Sequence, residues 1–320
     1  MPPTPAFAVF DWTTLGQQAV NGLSFGALVA LIALGYTMVY GIIELINFAH
    51  GDLFMLGAFL SLTLFGLAGA TSADAPGWRV AAGAAASFLL VPVFCAGLNL
   101  AVDRVVYKPL RNAPKLAPLV SAIGVSFVFL NLGLFWGGPQ DVNFPNLVPD
   151  ENLLPRLGVD TPLSFTAKNA LVIGVTLPLM AALTVFVKFT RTGKAMRAVA
   201  QNPVAAQLMG INTDRVIGVT FVLGGALAGF GSVVYGLTVN TVNYQMGFQN
   251  GLYAFTAAVL GGIGNIPGAV LGGLVIGLVR ALGTAYVGET WTSALVFAVL
   301  IVILVFRPAG LLGARVREKV

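Results

Sequence analysis

Ionisable and amide side chains are scarce in this chain, so the places where they gather carry weight. The stretch Glu44-Leu45-Ile46-Asn47-Phe48-Ala49-His50-Gly51-Asp52 sets Glu44, His50, Asp52 and the amide of Asn47 between two long apolar segments. Such groups are costly in hydrocarbon unless they face a cavity or a partner. The residues support two readings. In one, Glu44, Asn47, His50 and Asp52 line a translocation pathway, with Asn47 and His50 offering hydrogen bonds to a passing polar solute. In the other, the stretch is a cytoplasmic turn in which Asp52 caps the next helix and Glu44 is solvated. Asn265, within the run Gly261-Gly262-Ile263-Gly264-Asn265-Ile266-Pro267-Gly268, divides in the same way between pathway and turn. Arg280 lies toward the outer end of GGLVIGLVRALGTAYVG and reads as a side chain snorkelling to the headgroups, with a solute-facing role as the alternative.

Other chemistry is excluded by what is missing. His50 is the sole histidine, so no site needing two histidines exists. No G-x-x-x-x-G-K-[ST] occurs, so the chain should not hydrolyse ATP, and GGIGN lacks the βαβ setting of a dinucleotide fingerprint. Cys95 stands alone, which removes an intramolecular disulfide and a cysteine metal site and leaves a buried packing role. Neither a nucleophile with its base nor a cofactor or metal site is expected here, so an enzyme is a remote reading.

The elements that hold these residues follow from composition. Hydrophobic residues make up 57% of the chain and charged ones 9%, against about 25% charged in a soluble domain. The bilayer is the solvent. The expected fold is all-α: a polytopic integral membrane protein in one transmembrane domain, 1–320, with about nine helices including broken or re-entrant segments. The apolar runs lie near 20–43, 53–70, 80–102, 117–137, 169–189, 215–237, 251–264, 267–286 and 292–306.

Three basic clusters hold 13 of the 17 Lys and Arg residues. They are Arg104, Lys108, Arg111 and Lys115; Lys188, Arg191, Lys194, Arg197 and Arg215; and Arg307, Arg315, Arg317 and Lys319. All three should be cytoplasmic, and even numbers of crossings separate them. Counting back places the N-terminus outside and the C-terminus inside. The segment 138–168, with Asp141, Asp150, Glu151 and Asp160, then reads as a structured external loop. The opening MPPTPAFAVFDW has no Lys or Arg and does not read as a cleaved signal peptide. The Gly/Pro run 261–268 and the polar stretch 44–52 interrupt the two halves, which points to a central pathway and an internal repeat, although no repeated identity marks one. Gly272, Gly273 and Gly277, with Gly268 and Ala269, give one helix a face for close packing.

The cytoplasmic loop 191–215 contains a short helix that Asn202-Pro203 starts, Ala205-Ala206 favour and Gly210 ends. It could fit a groove on a soluble partner or be an ordinary surface helix.

The stretches VYGIIELINFAHGDLFMLGAFLS (39–61), AAQLMGINTDRVIGVTFVLGGALAG (205–229) and FTAAVLGGIGNIPGAVLGGLVIG (255–277) closely resemble the H-type permease subunit of branched-chain amino acid ABC importers, and the likeness runs over nearly the whole chain. The resemblance implies a multi-pass subunit of the bacterial inner membrane. Its expected partners are an M-type permease in a heterodimer, two cytoplasmic ATPases that bind ATP-Mg, and a periplasmic solute-binding protein. It also implies that 191–215, with Arg197, Asn202, Pro203, Ala205, Ala206 and Gly210, couples to the ATPases. Ala205-Ala206-x-x-x-Gly210 is similar to the family's coupling motif, but Val204 stands where a Glu is usual. Permeases for urea or short amides have a similar N-F-A-H-G segment. An ATP-independent channel or secondary transporter is the alternative from another class.

Overall fold

The computed structural model describes residues 11–72, 75–111, 113–114, 116–159 and 161–313. Lys115, Asp160, Arg315, Arg317 and Lys319 of the charge assignment, and the first ten residues, lie outside them. The helices are α1 (Trp12–Ile43), α2 (Ala49–Leu67), α3 (Gly77–Val102), α4 (Leu116–Gly137), α5 (Ala167–Phe189), α6 (Arg191–Gln201), α7 (Pro203–Leu208), α8 (Thr213–Val239), α9 (Met246–Gly261), α10 (Ile266–Tyr286) and α11 (Glu289–Phe306). Helix α3 continues through a π-helical turn, Asp103–Tyr107, to Leu110. Among the described residues, eight helices are long and apolar enough to cross a membrane. Helix α9, with 16 residues, is the short ninth. The chain is thus an all-α polytopic membrane protein.

Several helices begin before their apolar runs because polar caps hold them. Asp11 accepts from the Thr13 N–H at 3.2 Å, so α1 starts at Trp12 rather than near residue 20. Asn212 caps α8 in the same way, accepting from Arg215 N–H at 2.9 Å.

One end of the bundle carries the segment 138–168. Gln17 in the first turns of α1 accepts from Ser164 N–H at 2.7 Å, and Lys168 pairs with Asp150 at 2.9 Å. Strand β1 (Val142–Asn143) pairs antiparallel with β2 (Thr241–Val242) beyond the end of α8, and Phe144 is buried beneath them. The opposite end carries the described residues of the basic clusters. There Arg111 bridges Asp103, at 2.7 Å, and Asp214, while Lys108 reaches Asp214 at 2.9 Å. These ion pairs bind the end of α3 to the start of α8.

Small residues decide which helices sit inside. In lipid, apolar side chains gain little by leaving hydrocarbon for one another, so close backbone approach supplies the packing. Helix α1 lies along α10: a Cβ on Gly26 would fall 2.8 Å from Leu274 Cα, and one on Gly273 would fall 2.5 Å from Ala30 Cβ. Helix α8 lies along α3, where a Cβ on Gly225 would meet Cys95 O at 2.5 Å and one on Gly229 would meet Pro92 Cα at 2.6 Å. Helices α1, α2 and α3 and helices α8, α9 and α10 form two triplets. Helices α1 and α8 run in opposite directions, and each packs on the third helix of the other triplet. This is an inverted repeat.

The Gly/Pro run 261–268 is a tight turn rather than the interruption the sequence suggests. Gly262 and Gly264 adopt φ of +103° and +86°, which side chains disfavour. The C-terminal segment docks on this turn: Leu311 and Leu312 donate to the carbonyls of Leu260 and Gly261 at 2.8 and 3.0 Å. The turn's backbone is therefore satisfied by protein.

Gly273→Leu should force α1 from α10, destabilising the fold by about 2 kcal/mol or more. Gly174, with open space around its Cβ position, is the control. Thermal unfolding of the two purified variants should show Gly273→Leu several degrees below Gly174→Leu; equal transitions would refute the packing argument.

Candidate functional site at the crossing of two half-helices

After Ile43 the chain reverses at Glu44, whose φ of +53° is left-handed, and residues 44–48 run back into the bundle. Helix α2 therefore begins inside it. His50 is buried beside Gly35 and edge-on to Tyr36, with ring centroids 4.8 Å apart. Tyr36 is two turns from the inner end of α1, which is roughly 10 Å at 1.5 Å per residue. The other triplet makes a similar entry from the opposite end. After β2 the chain descends, and α9 starts beside Asp52: a Cβ on Gly247 would lie 2.8 Å from Asp52 Cα. Its shortness arises at this end.

The two half-helices cross where neither has a side chain. A Cβ on Gly51 would lie 2.8 Å from Gly251 Cα, and one on Gly251 would lie 2.9 Å from Gly51 Cα and 3.1 Å from Tyr36 Oη. Phe48-Ala49-His50-Gly51 and Phe248-Gln249-Asn250-Gly251 stand at equivalent positions in the two triplets. This F-x-[HN]-G recurrence is the repeated identity that the sequence reading missed.

The structure separates the residues singled out in the polar stretch. Glu44 is exposed at the reversal. Asn47 is buried and bound: it donates from Nδ2 to Asn99 Oδ1 at 3.1 Å and accepts from Tyr107 Oη at 3.3 Å, while Asn99 donates to Phe221 O at 2.7 Å. This network pins the re-entrant loop to α3 and α8. Asp52 is also buried, and it accepts a hydrogen bond from Ser126 on α4 rather than capping α2. Asn265 lies at the other turn, capping α10 at Gly268 N–H, 3.1 Å, and donating to Leu312 O at 2.7 Å. It is not brought together with the Gly51–Gly251 crossing. Asn99, Tyr107, Tyr36 and Ser126 complete the site and were not legible as functional residues.

Beside the crossing lies an open, mostly apolar cleft of about 460 Å³ between α1, α4, α9 and the loop residue before α2. Tyr36, Phe48, Ser126, Phe127, Phe248 and Phe255 contribute to its walls. At the end that carries the basic clusters, α6 presents Arg191, Lys194 and Arg197 on its exposed face and buries Gly193, Met196 and Val199. Helix α7 follows, capped by Asn202 accepting from Ala205 N–H at 2.9 Å and followed by Gly210 at φ of +81°. Ala206 faces inward, whereas Val204, Leu208 and Met209 are exposed.

Long apolar helices around two half-helices that meet inside the bundle define a multi-pass membrane transport subunit. Residues 18–305 match the family model of the permease component of branched-chain amino acid transport systems, and the chain belongs to that family. It is 41% identical over 304 residues to the high-affinity branched-chain amino acid transport system permease LivH of Escherichia coli K12, covering 95% of this chain and 97% of that protein. It is 40% identical over 307 residues to BraD of Pseudomonas aeruginosa, with the same coverage, and 27% identical over 316 residues to a probable LivH of Methanocaldococcus jannaschii, covering 93% of each. No solved structure matches.

Asn99→Leu should leave Asn47 Nδ2 buried without a partner and remove the side-chain donor to Phe221 O, at a cost of about 1–3 kcal/mol. Adding Asn47→Leu to Asn99→Leu should cost less than the sum of the single changes, because the pair shares one bond. Thermal unfolding in detergent measures the cycle, and strict additivity would mean the network is not coupled.

Proposed function

We propose that this chain is the H-type half of a permease heterodimer in an ATP-driven importer of branched-chain amino acids, set in the bacterial inner membrane with its N-terminus outside and C-terminus inside. The observation that carries this reading is the 41% identity to LivH, spread over 95% of the chain. The M-type partner completes the pathway, a periplasmic binding protein delivers the solute, and two ATPase subunits hold ATP-Mg. The 191–215 loop receives their motion through the exposed Val204, Leu208 and Met209 of α7 and its following turn.

The cleft beside Gly51 and Gly251 accepts the aliphatic side chain, since its walls are mostly carbon. That lining favours branched aliphatic solutes over urea or short amides, which offer little apolar surface to bury. Asn47, His50 and Asp52 act from behind the wall: Asn47 holds the re-entrant loop, and Asp52 orients Ser126 at the edge of the cleft. Rocking of the two triplets about their crossing would open the cleft alternately to either side.

Uptake of labelled leucine into proteoliposomes should require ATP, both permeases, both ATPases and the binding protein. Uptake by this chain alone would replace the reading with a channel or secondary transporter, and ATP-dependent uptake of urea instead would change the substrate. Leu208→Asp on α7 should lower ATP-driven uptake about tenfold and weaken co-purification of the ATPases, as expected when an exposed apolar anchor is lost. Unaltered uptake and co-purification would place coupling elsewhere.

A further inference from the structure

A second cavity, of about 400 Å³, opens between α8, α9, α10 and α11 toward the end that carries segment 138–168. Arg280 and Glu289 both line it, with Asn250, Ser293 and the rings of Tyr235 and Tyr253. Arg280 stands six residues before the end of α10, roughly 9 Å along the helix at 1.5 Å per residue. A guanidinium at that depth is costly unless something answers its charge. Its described contacts are rings: the guanidinium carbon lies 4.0 Å from the Phe25 centroid and 5.3 Å from that of Tyr253. Tyr253 is itself held to α11 through Ser293, with 2.8 Å between their hydroxyl oxygens. A snorkelling side chain would extend along the helix toward water. This one is turned inward over Phe25 of α1 and Tyr253 of α9, and among the described residues no hydrogen bond takes up its N–H donors, which suit a carboxylate.

We propose that this cavity is a site for the zwitterionic head group of an α-amino acid, with Arg280 receiving the carboxylate and Glu289 the ammonium. Charge is the discriminator. An anionic lipid head group or a free anion would satisfy Arg280 but meet repulsion from Glu289, whereas a zwitterion answers both. Phe248 and Leu252 line this cavity and the apolar cleft at the helix crossing. The aliphatic side chain therefore points toward the cleft, and the cavity is the station before it. The assignment rests on the amino acid importer reading and names where that solute is first held within the permease.

The test is binding of labelled leucine to the assembled permease–ATPase complex without its binding protein. Leucine should bind, and Arg280→Gln and Glu289→Gln should each weaken it about tenfold or more, the loss expected for an unanswered charge-assisted contact. 4-Methylpentanoate, which lacks the ammonium, and 3-methylbutylamine, which lacks the carboxylate, should compete poorly. Should Arg280→Gln fail to assemble, the exposed Glu289 still decides the matter. Unweakened leucine binding in both variants, or no leucine binding in the wild-type complex, overturns the site. Binding of phosphatidylglycerol, lost in Arg280→Gln, with leucine binding unchanged assigns the arginine to lipid and also overturns it. ATP-dependent leucine uptake by the full importer, measured beside these assays, separates failure of this site from failure of the importer reading.

Discussion

The rest of the bundle is arranged around a contact between two backbones at Gly51 and Gly251. Two helices that start inside a membrane bring unsatisfied N–H groups and connecting loops into a medium with no water to answer them. Such a break survives only if protein surrounds it. Glycine lets the starts of α2 and α9 shield one another, and the long helices α1 and α8 close around the pair. Those helices come close enough because Gly26 meets α10 and Gly225 and Gly229 meet α3. The small-residue faces are thus a consequence of the broken helices as much as a means of packing.

The same constraint explains the fate of the polar residues. A loop that returns into the bundle through residues 44–48 must bind its own amides, and Asn47 is consumed in doing so by Asn99 and Tyr107. The polarity of the 44–52 stretch therefore supports the break first. The Asn47 amide therefore holds the loop in position and is not free for a solute.

The helices were largely legible because each apolar run of bilayer length has one physical solution. Their ends were less so, since caps such as Asp11 and Asn212 extend a helix through residues too polar for a hydropathy argument. Apolar runs also read alike whether they end inside or outside the bundle: α1 and α11 differ in burial but not in kind. The polar network escaped because Asn47, the Asn99 and Tyr107 pair, and Phe221 come from three separate parts of the chain. The repeat was present in F-x-[HN]-G, but a match of four positions gains meaning only once the two glycines are seen to touch. The glycine run 261–268 misled for the opposite reason. It is a conspicuous local signal, but of a turn, while the true interruption before Met246 is chemically plain.

The two triplets share shape but not chemistry, and that difference gives the site a direction. At the paired positions His50 faces Tyr36 in the interior, whereas Asn250 lines the outer cavity; Asp52 is bound to Ser126, whereas Leu252 borders both open spaces. Helix α2 keeps His50 and Asp52 buried within the protein. Helix α9 turns Phe248, Asn250 and Leu252 toward space a solute could occupy. On the importer reading, α2 is the fixed side of the crossing and α9 the side the solute follows. Inversion then supplies two mechanically similar halves, while the divergence of His50 from Asn250 and Asp52 from Leu252 assigns one of them to structure and the other to passage.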